Sequence, residues 1–187
     1  MNPAASLAPG ARLRLFCALR LPTGALETLV RWQRESLAAP EGVRLTRREQ
    51  LHVTLAFLGS RPSEEVDPIF SELREAAAAL PPPRLAVRRY RETRSVGMLV
   101  CDDEDRRAAS LVADLHERLE RLGVYVREQR EWLPHITVIR FRQRPRLEPP
   151  LPALEGVVMS EAAVYMSVLR PSGAQYEVLQ SVAVGGR

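Results

Sequence analysis

The chain has 187 residues, 45% of them hydrophobic and 27% charged, an ordinary balance for a soluble globular protein long enough to bury its own core. No run approaches the roughly 18 apolar residues of a membrane span, and the start, "MNPAASLAPGAR", lacks a charged stretch followed by an apolar one, so neither a membrane segment nor a secretory signal is expected and a cytoplasmic location is. Net charge is +4, the isoelectric point is about 9.7, and all 27 basic residues are arginine; such a surface attracts anions without by itself singling out nucleic acid.

Residues 1–11 read as a flexible N-terminal segment and 12–187 as one domain. "RLRLFCALRLP", 12–22, alternates as a strand closed by Pro22. Thr23 is then placed to cap a helix to about Leu37, with apolar Leu26, Leu29, Val30 and Leu37. "PEG", 40–42, breaks it. A short strand and loop lead to "LHVTLAFLG", 51–59, which reads as a buried strand ended by Gly59 and Pro62. Ser63, Glu65 and Val66 open a second helix that runs to Leu80, and "PPP", 81–83, stops it. Strands follow near 84–91 and 96–101. An acidic start and helical apolar spacing give a third helix closed by Gly123. "HITVIRF", 135–141, is the next strand, then a Pro-rich connector, then two strands near 157–168 and 175–184 around "PSG". Strand–helix–strand occurs in both halves, which predicts an α+β fold of two similar halves whose sheets pack together. Cys17 and Cys101 sit in apolar strand-like runs without ligand spacing and read as buried, reduced thiols.

Two strands repeat one anomaly. Each carries His-x-Thr among aliphatic residues: His52 with Thr54, and His135 with Thr137, 83 positions apart. Side chains alternate along a strand, so each histidine shares a face with its threonine. Side by side, the two strands would offer two imidazoles and two hydroxyls to one cleft. One neutral ring can take a proton from a nucleophile while a charged ring gives one to a leaving group. The hydroxyls can donate to the nonbridging oxygens of a phosphate. Such a set needs no metal and no cofactor. A lone histidine on such a strand is most often structural, but two matching pairs favour function, because a merely structural reading needs every buried ring nitrogen satisfied twice over. The third histidine, His116, lies on the charged helix "LHERLERLG" and reads as solvated.

These words resemble a known family. The paired His-x-Thr strands are similar to those of the 2H phosphoesterase superfamily. "RLFCALRLP", "LHVTLAFLG", "PHITVIRF" and "VYMSVLRPSGAQYEVL" resemble, more narrowly, the RNA 2′,3′-cyclic phosphodiesterase family, also described as 2′-5′ RNA ligase. The resemblance spans nearly the whole chain. It implies a bilobal α+β fold, with pseudo-symmetric halves, antiparallel sheets lining a central cleft and helices outside. It implies hydrolysis of a terminal 2′,3′-cyclic phosphate to a 2′-phosphomonoester, with 2′-5′ ligation as a companion. His52 and His135 carry over as the acid/base pair, Thr54 and Thr137 as phosphate donors. Which ring is base stays open; one assignment makes His135 the base on water and His52 the acid on the 3′ oxygen. Phe57 and Arg140, each five residues after a motif histidine, carry over as contacts to a substrate base and to phosphate. Strict alternation opposes this, since it puts residue i+5 on the wrong face, so the strand must bulge or end before it. The partners implied are RNA bearing a 2′,3′-cyclic phosphate, or a cyclic nucleotide, acted on by a monomer. "RRYRETR", 88–94, and "RFRQRPR", 140–146, are either the mouth of an RNA groove, with Tyr90 as a stacking surface, or ordinary solvated faces. Other readings are an RNA-end or nucleotide-binding module on the same fold, a phosphodiesterase for another cyclic phosphate, or a metal hydrolase. The last is disfavoured by the lack of zinc-site spacing.

Overall fold

The chain in the computed structural model is described over residues 10–37, 41–170 and 173–186. In chain order the elements are β1 (Arg12–Arg20), α1 (Thr23–Ser36), β2 (Val43–Leu45), β3 (His52–Pro62), α2 (Val66–Ala78), β4 (Arg84–Glu92), β5 (Val96–Asp102), α3 (Arg107–Arg121), β6 (His135–Phe141), β7 (Val157–Val158), β8 (Glu161–Arg170) and β9 (Gly173–Ala183). Short 3₁₀ turns, Arg48–Gln50 and Ser63–Glu65, precede β3 and α2. The fold is α+β, as expected.

The strands form one sheet in the order β7-β4-β5-β6-β3-β1-β8-β9, with β2 added on β6. Every ladder is antiparallel. The two halves of this sheet are β4-β5-β6 and β3-β1-β8-β9. They join edge to edge through a single rung, Val53↔Ile136. The three helices supply the second layer. Leu13, Leu15, Cys17 and Leu19 of β1 face the main core with Leu29 of α1, Ile69 and Leu73 of α2 and Leu111 and Leu115 of α3. Each such fully buried side chain contributes about 1.5–3 kcal/mol. The opposite face of β1 carries Phe16 and Ala18 into a smaller cluster with Ala163 and Tyr165, flanked by Tyr176 and Val178.

Both thiols are buried, Cys17 on β1 and Cys101 on β5, and burial pushes each up to about 12. Several local expectations change. Pro22, not Thr23, is the cap residue of α1, and no side chain caps it. The buried stripe of α1 is Ala25, Leu29, Trp32 and Gln33. His116 is not solvated: it is 7% exposed, in line with Val112, Leu115 and Leu119 on the core face of α3, and its ring lies 4.6 Å from that of Tyr125. Of the expected flexible segment 1–11, the first nine residues lie outside the described ones, whereas the Gly10 N–H donates to Glu64 (2.5 Å) and Ala11 O accepts from Ser63 N–H (2.8 Å). Pro40 of the helix-breaking "PEG" and the first two residues of "PSG" also lie outside.

Candidate active site

The rung Val53↔Ile136 fixes what faces what. Val53 and Ile136 are buried on the helix side. Their neighbours His52, Thr54, His135 and Thr137 therefore turn to the other, concave face, where all four are half-buried. Because the strands are antiparallel, His52 lies toward Thr137 and Thr54 toward His135. The two His-x-Thr pairs thus meet at the seam between the halves.

Each histidine is its strand's first residue and is held in the same way. His52 Nδ1 lies 2.7 Å from Gln50 O, and His135 Nδ1 lies 2.8 Å from Leu133 O. A carbonyl can only accept, so both Nδ1 atoms carry hydrogen. That leaves Nε2 as the nitrogen each ring can use for proton transfer. His52 Nε2 lies 3.1 Å from Thr54 Oγ1, whose hydroxyl donates to it when the ring is neutral. Burial lowers the pKa of His52 to about 4; the bond to Gln50 O opposes this, while the positive fields of His135 and Arg140 add to it. In the free protein at neutral pH His52 is uncharged.

This sets a pH signature. The unfolded chain binds a proton near pH 6.5, while the folded one refuses it down to about 4. Stability from this group is therefore complete above 6.5 and falls as pH drops through that window. A phosphate between the rings would put a negative charge beside His52, and so raise its pKa. His52 is expected to titrate near pH 4 by NMR in the free protein, and higher with inorganic phosphate added. Titration near 6.5, indifferent to phosphate, would contradict this account.

Phe57 and Arg140 reach the same face through a bulge in each strand. On β3 the partners of β1 step from Ala18↔Thr54 to Cys17↔Ala56, leaving Leu55 unpaired. On β6 the partners of β5 step from Met98↔Thr137 to Gly97↔Ile139, leaving Val138 unpaired. Leu55 and Ala56 are both buried, as are Val138 and Ile139. The extra residue reverses the alternation, so Phe57 and Arg140 emerge beside their motif residues. Phe57 is 57% exposed with its ring 5.5 Å from Phe16. Arg140 is exposed, and its Nη2 donates to the Tyr176 hydroxyl at 3.5 Å. At Gly97 an added Cβ would lie 2.6 Å from Ile139 Cγ1, so only glycine fits opposite the second bulge.

All six residues singled out in the sequence thus lie on one concave surface. The structure adds an aromatic floor that sequence reasoning missed. Phe16 stacks on Tyr165 at 4.9 Å and lies 5.0 Å from His52. Tyr176 meets His52 edge-on at 5.5 Å and so links β9 to Arg140 across the seam. A recess of about 290 Å³, lined in part by Arg47, Gln50, Arg170 and Tyr176, opens beside it. A larger recess of about 440 Å³ lies over α1 and touches none of the motif residues. The flanking arginine runs are partly committed elsewhere: Arg88 pairs with Asp102 (3.3 Å) and Arg144 with Glu92 (3.1 Å). Tyr90 is half-buried: it packs against the main core and its hydroxyl donates to Glu92. Among the described residues, no three His, Cys, Asp or Glu side chains gather as metal ligands would, and no helix is long and apolar enough to cross a membrane.

Known proteins share this sequence and shape. Residues 19–95 match the family model described as LigT like Phosphoesterase. An RNA 2′,3′-cyclic phosphodiesterase of Thermus thermophilus is 34% identical over 184 residues, covering 93% of this chain and 91% of that one. The crystal structure of TT0787 of Thermus thermophilus superposes with a TM-score of 0.72 at 31% identity, over 93% of this chain and 99% of that one. Escherichia coli LigT complexed with 3′-AMP has the same fold, with a TM-score of 0.75 at 24% identity over 93% and 99% of the two chains. The chain is a phosphoesterase and belongs to the LigT-like family of the 2H superfamily.

Proposed function

We propose that the protein hydrolyses the 2′,3′-cyclic phosphate at an RNA end, or of a nucleotide, to a 2′-phosphomonoester. The observation that carries this reading is the seam itself: two histidines, each with Nδ1 tied to a carbonyl and Nε2 left for proton exchange, beside two threonine hydroxyls. The activity for which the Thermus relative is named supports the substrate class.

The step needs no group beyond these. Water attacks phosphorus and loses a proton to one Nε2 as the P–O3′ bond breaks. The other Nε2 gives a proton to the departing 3′ oxygen, leaving a 3′-hydroxyl and a 2′-phosphate. In the assignment we favour, His135 is the base and His52 the acid. His52 is neutral in the empty cleft and gains its proton as the anion binds. Thr54 and Thr137 donate to the nonbridging oxygens, where charge builds in the transition state. Arg140 offers a charge-assisted hydrogen bond to phosphate, and Phe57 a face for the base. With an RNA 5′-hydroxyl in place of water, the same displacement gives a 2′-5′ linkage.

The test is turnover of 2′,3′-cyclic AMP in excess chelator. A 2′-phosphate product at an undiminished rate is expected. Loss of activity in chelator would point to a metal-dependent reaction, and tight binding without turnover to an RNA-end-binding module.

A further inference from the structure

Both motif strands depend on a bulge, and each bulge is held from behind by a buried polar side chain of a helix. Leu55 O, at the unpaired residue of β3, accepts from His116 Nε2 at 2.8 Å. Val138 O, at the unpaired residue of β6, accepts from Gln33 Nε2 at 2.7 Å. Gln33 is 2% exposed and also donates to Thr46 O at 3.0 Å, while Thr46 N–H donates to Val138 O at 2.9 Å. Next to the first bulge, Trp132 Nε1 donates to Thr54 O at 2.9 Å.

The pattern is crossed. His116 belongs to α3, which lies between β5 and β6 in the chain, yet it holds β3. Gln33 belongs to α1, between β1 and β2, yet it holds β6. A bulge takes carbonyls out of the ladder, and a buried carbonyl left without a donor is destabilising. Without His116 the β3 bulge loses the side-chain donor to Leu55 O, and without Gln33 Val138 O keeps only the Thr46 N–H; either loss favours sliding back into register. One residue of slippage would turn Phe57 and Arg140 away from the cleft.

We infer that His116 and Gln33 are positioning residues, which lock the two bulges and thereby aim Phe57 and Arg140 at the bound substrate. The consequence for activity rests on the proposed phosphodiesterase reading; the consequence for the backbone does not. Methionine matches either side chain in bulk and cannot donate. In His116→Met we expect faster amide exchange confined to residues 55–58, and in Gln33→Met to residues 138–141. With 2′,3′-cyclic AMP, each variant should raise KM about tenfold while kcat stays within about threefold, the mark of lost substrate contact rather than lost chemistry. His116→Gln, which keeps a donor near the Nε2 position, should restore KM. If His116 acts through Phe57, then adding His116→Met to Phe57→Ala should raise KM little further.

Unchanged exchange at the bulges in a folded variant would overturn the proposal. So would KM effects of His116→Met and Phe57→Ala that simply multiply. Should His116→Met fail to fold, exchange at residues 55–58 and KM in His116→Leu, which also lacks a donor, decide for β3, and Gln33→Met decides for β6. If the wild-type chain shows no turnover, the phosphodiesterase reading fails, while the exchange measurements still judge the lock.

Discussion

Replacing His52 or His135 by alanine is expected to cut kcat on 2′,3′-cyclic AMP by about 10²–10⁴-fold each, the usual worth of one positioned proton-transfer group. The double variant should lose little more than the worse single one, because the rings act as a unit on one displacement and such losses do not add. Both side chains are half-buried at strand starts on the concave face, outside the main core, so thermal stability should hold. His52→Ala should in addition flatten the fall in stability between pH 6.5 and 4, since it removes a ring that folding keeps uncharged. A variant that kept near-normal turnover would remove that ring from the reaction.

Changing Thr54 or Thr137 to valine keeps the shape and removes one hydroxyl. If each hydroxyl meets a phosphate oxygen in the transition state, kcat should fall about 10²-fold per site, the lower end of what one oxyanion donor is worth. The two sites should differ in one respect. Thr54 Oγ1 also sits 3.1 Å from His52 Nε2, so Thr54→Val frees that nitrogen and should shift the pH dependence of kcat. Thr137→Val should lower the rate at every pH alike. Steady-state rates from about pH 5 to 9 separate the cases, since they span the ordinary range of histidine titration. Equal, pH-independent losses would mean that the His52–Thr54 contact plays no part in turnover.

Much of this is readable from residue order because it rests on local periodicity. His52 and Thr54 stand two apart on a strand, as do His135 and Thr137, and a period of two dictates their common face whatever surrounds them. The helices follow from apolar spacing, although Ser63–Glu65, read as the opening of the second helix, is a separate 3₁₀ turn and α2 starts at Val66. Bulges cannot be read this way. Phe57 and Arg140 violate alternation, and only the register against β1 and β5 shows the extra residue. Tyr176 and Phe16 join the site through long-range pairing of β9, β8 and β1, which no local pattern announces. His116 misleads for a different reason. The charged residues around it suggest a wet helix, yet Ala108, Leu111, Val112, Leu115 and Leu119 form a three-four stripe that includes position 116. Gln33 lies on the buried stripe of α1 in the same way. A polar residue on an apolar stripe signals a buried partner, and here both partners are backbone carbonyls.

The sulfhydryls have a practical consequence. Cys17 and Cys101 occupy the second strand out from the seam on either side, β1 and β5, one in each half. Alkylating agents attack the thiolate, and neither residue forms it appreciably while enclosed. Pulse labelling under native conditions would therefore report separately on transient opening of each half, with mass spectrometry telling which one breathes first.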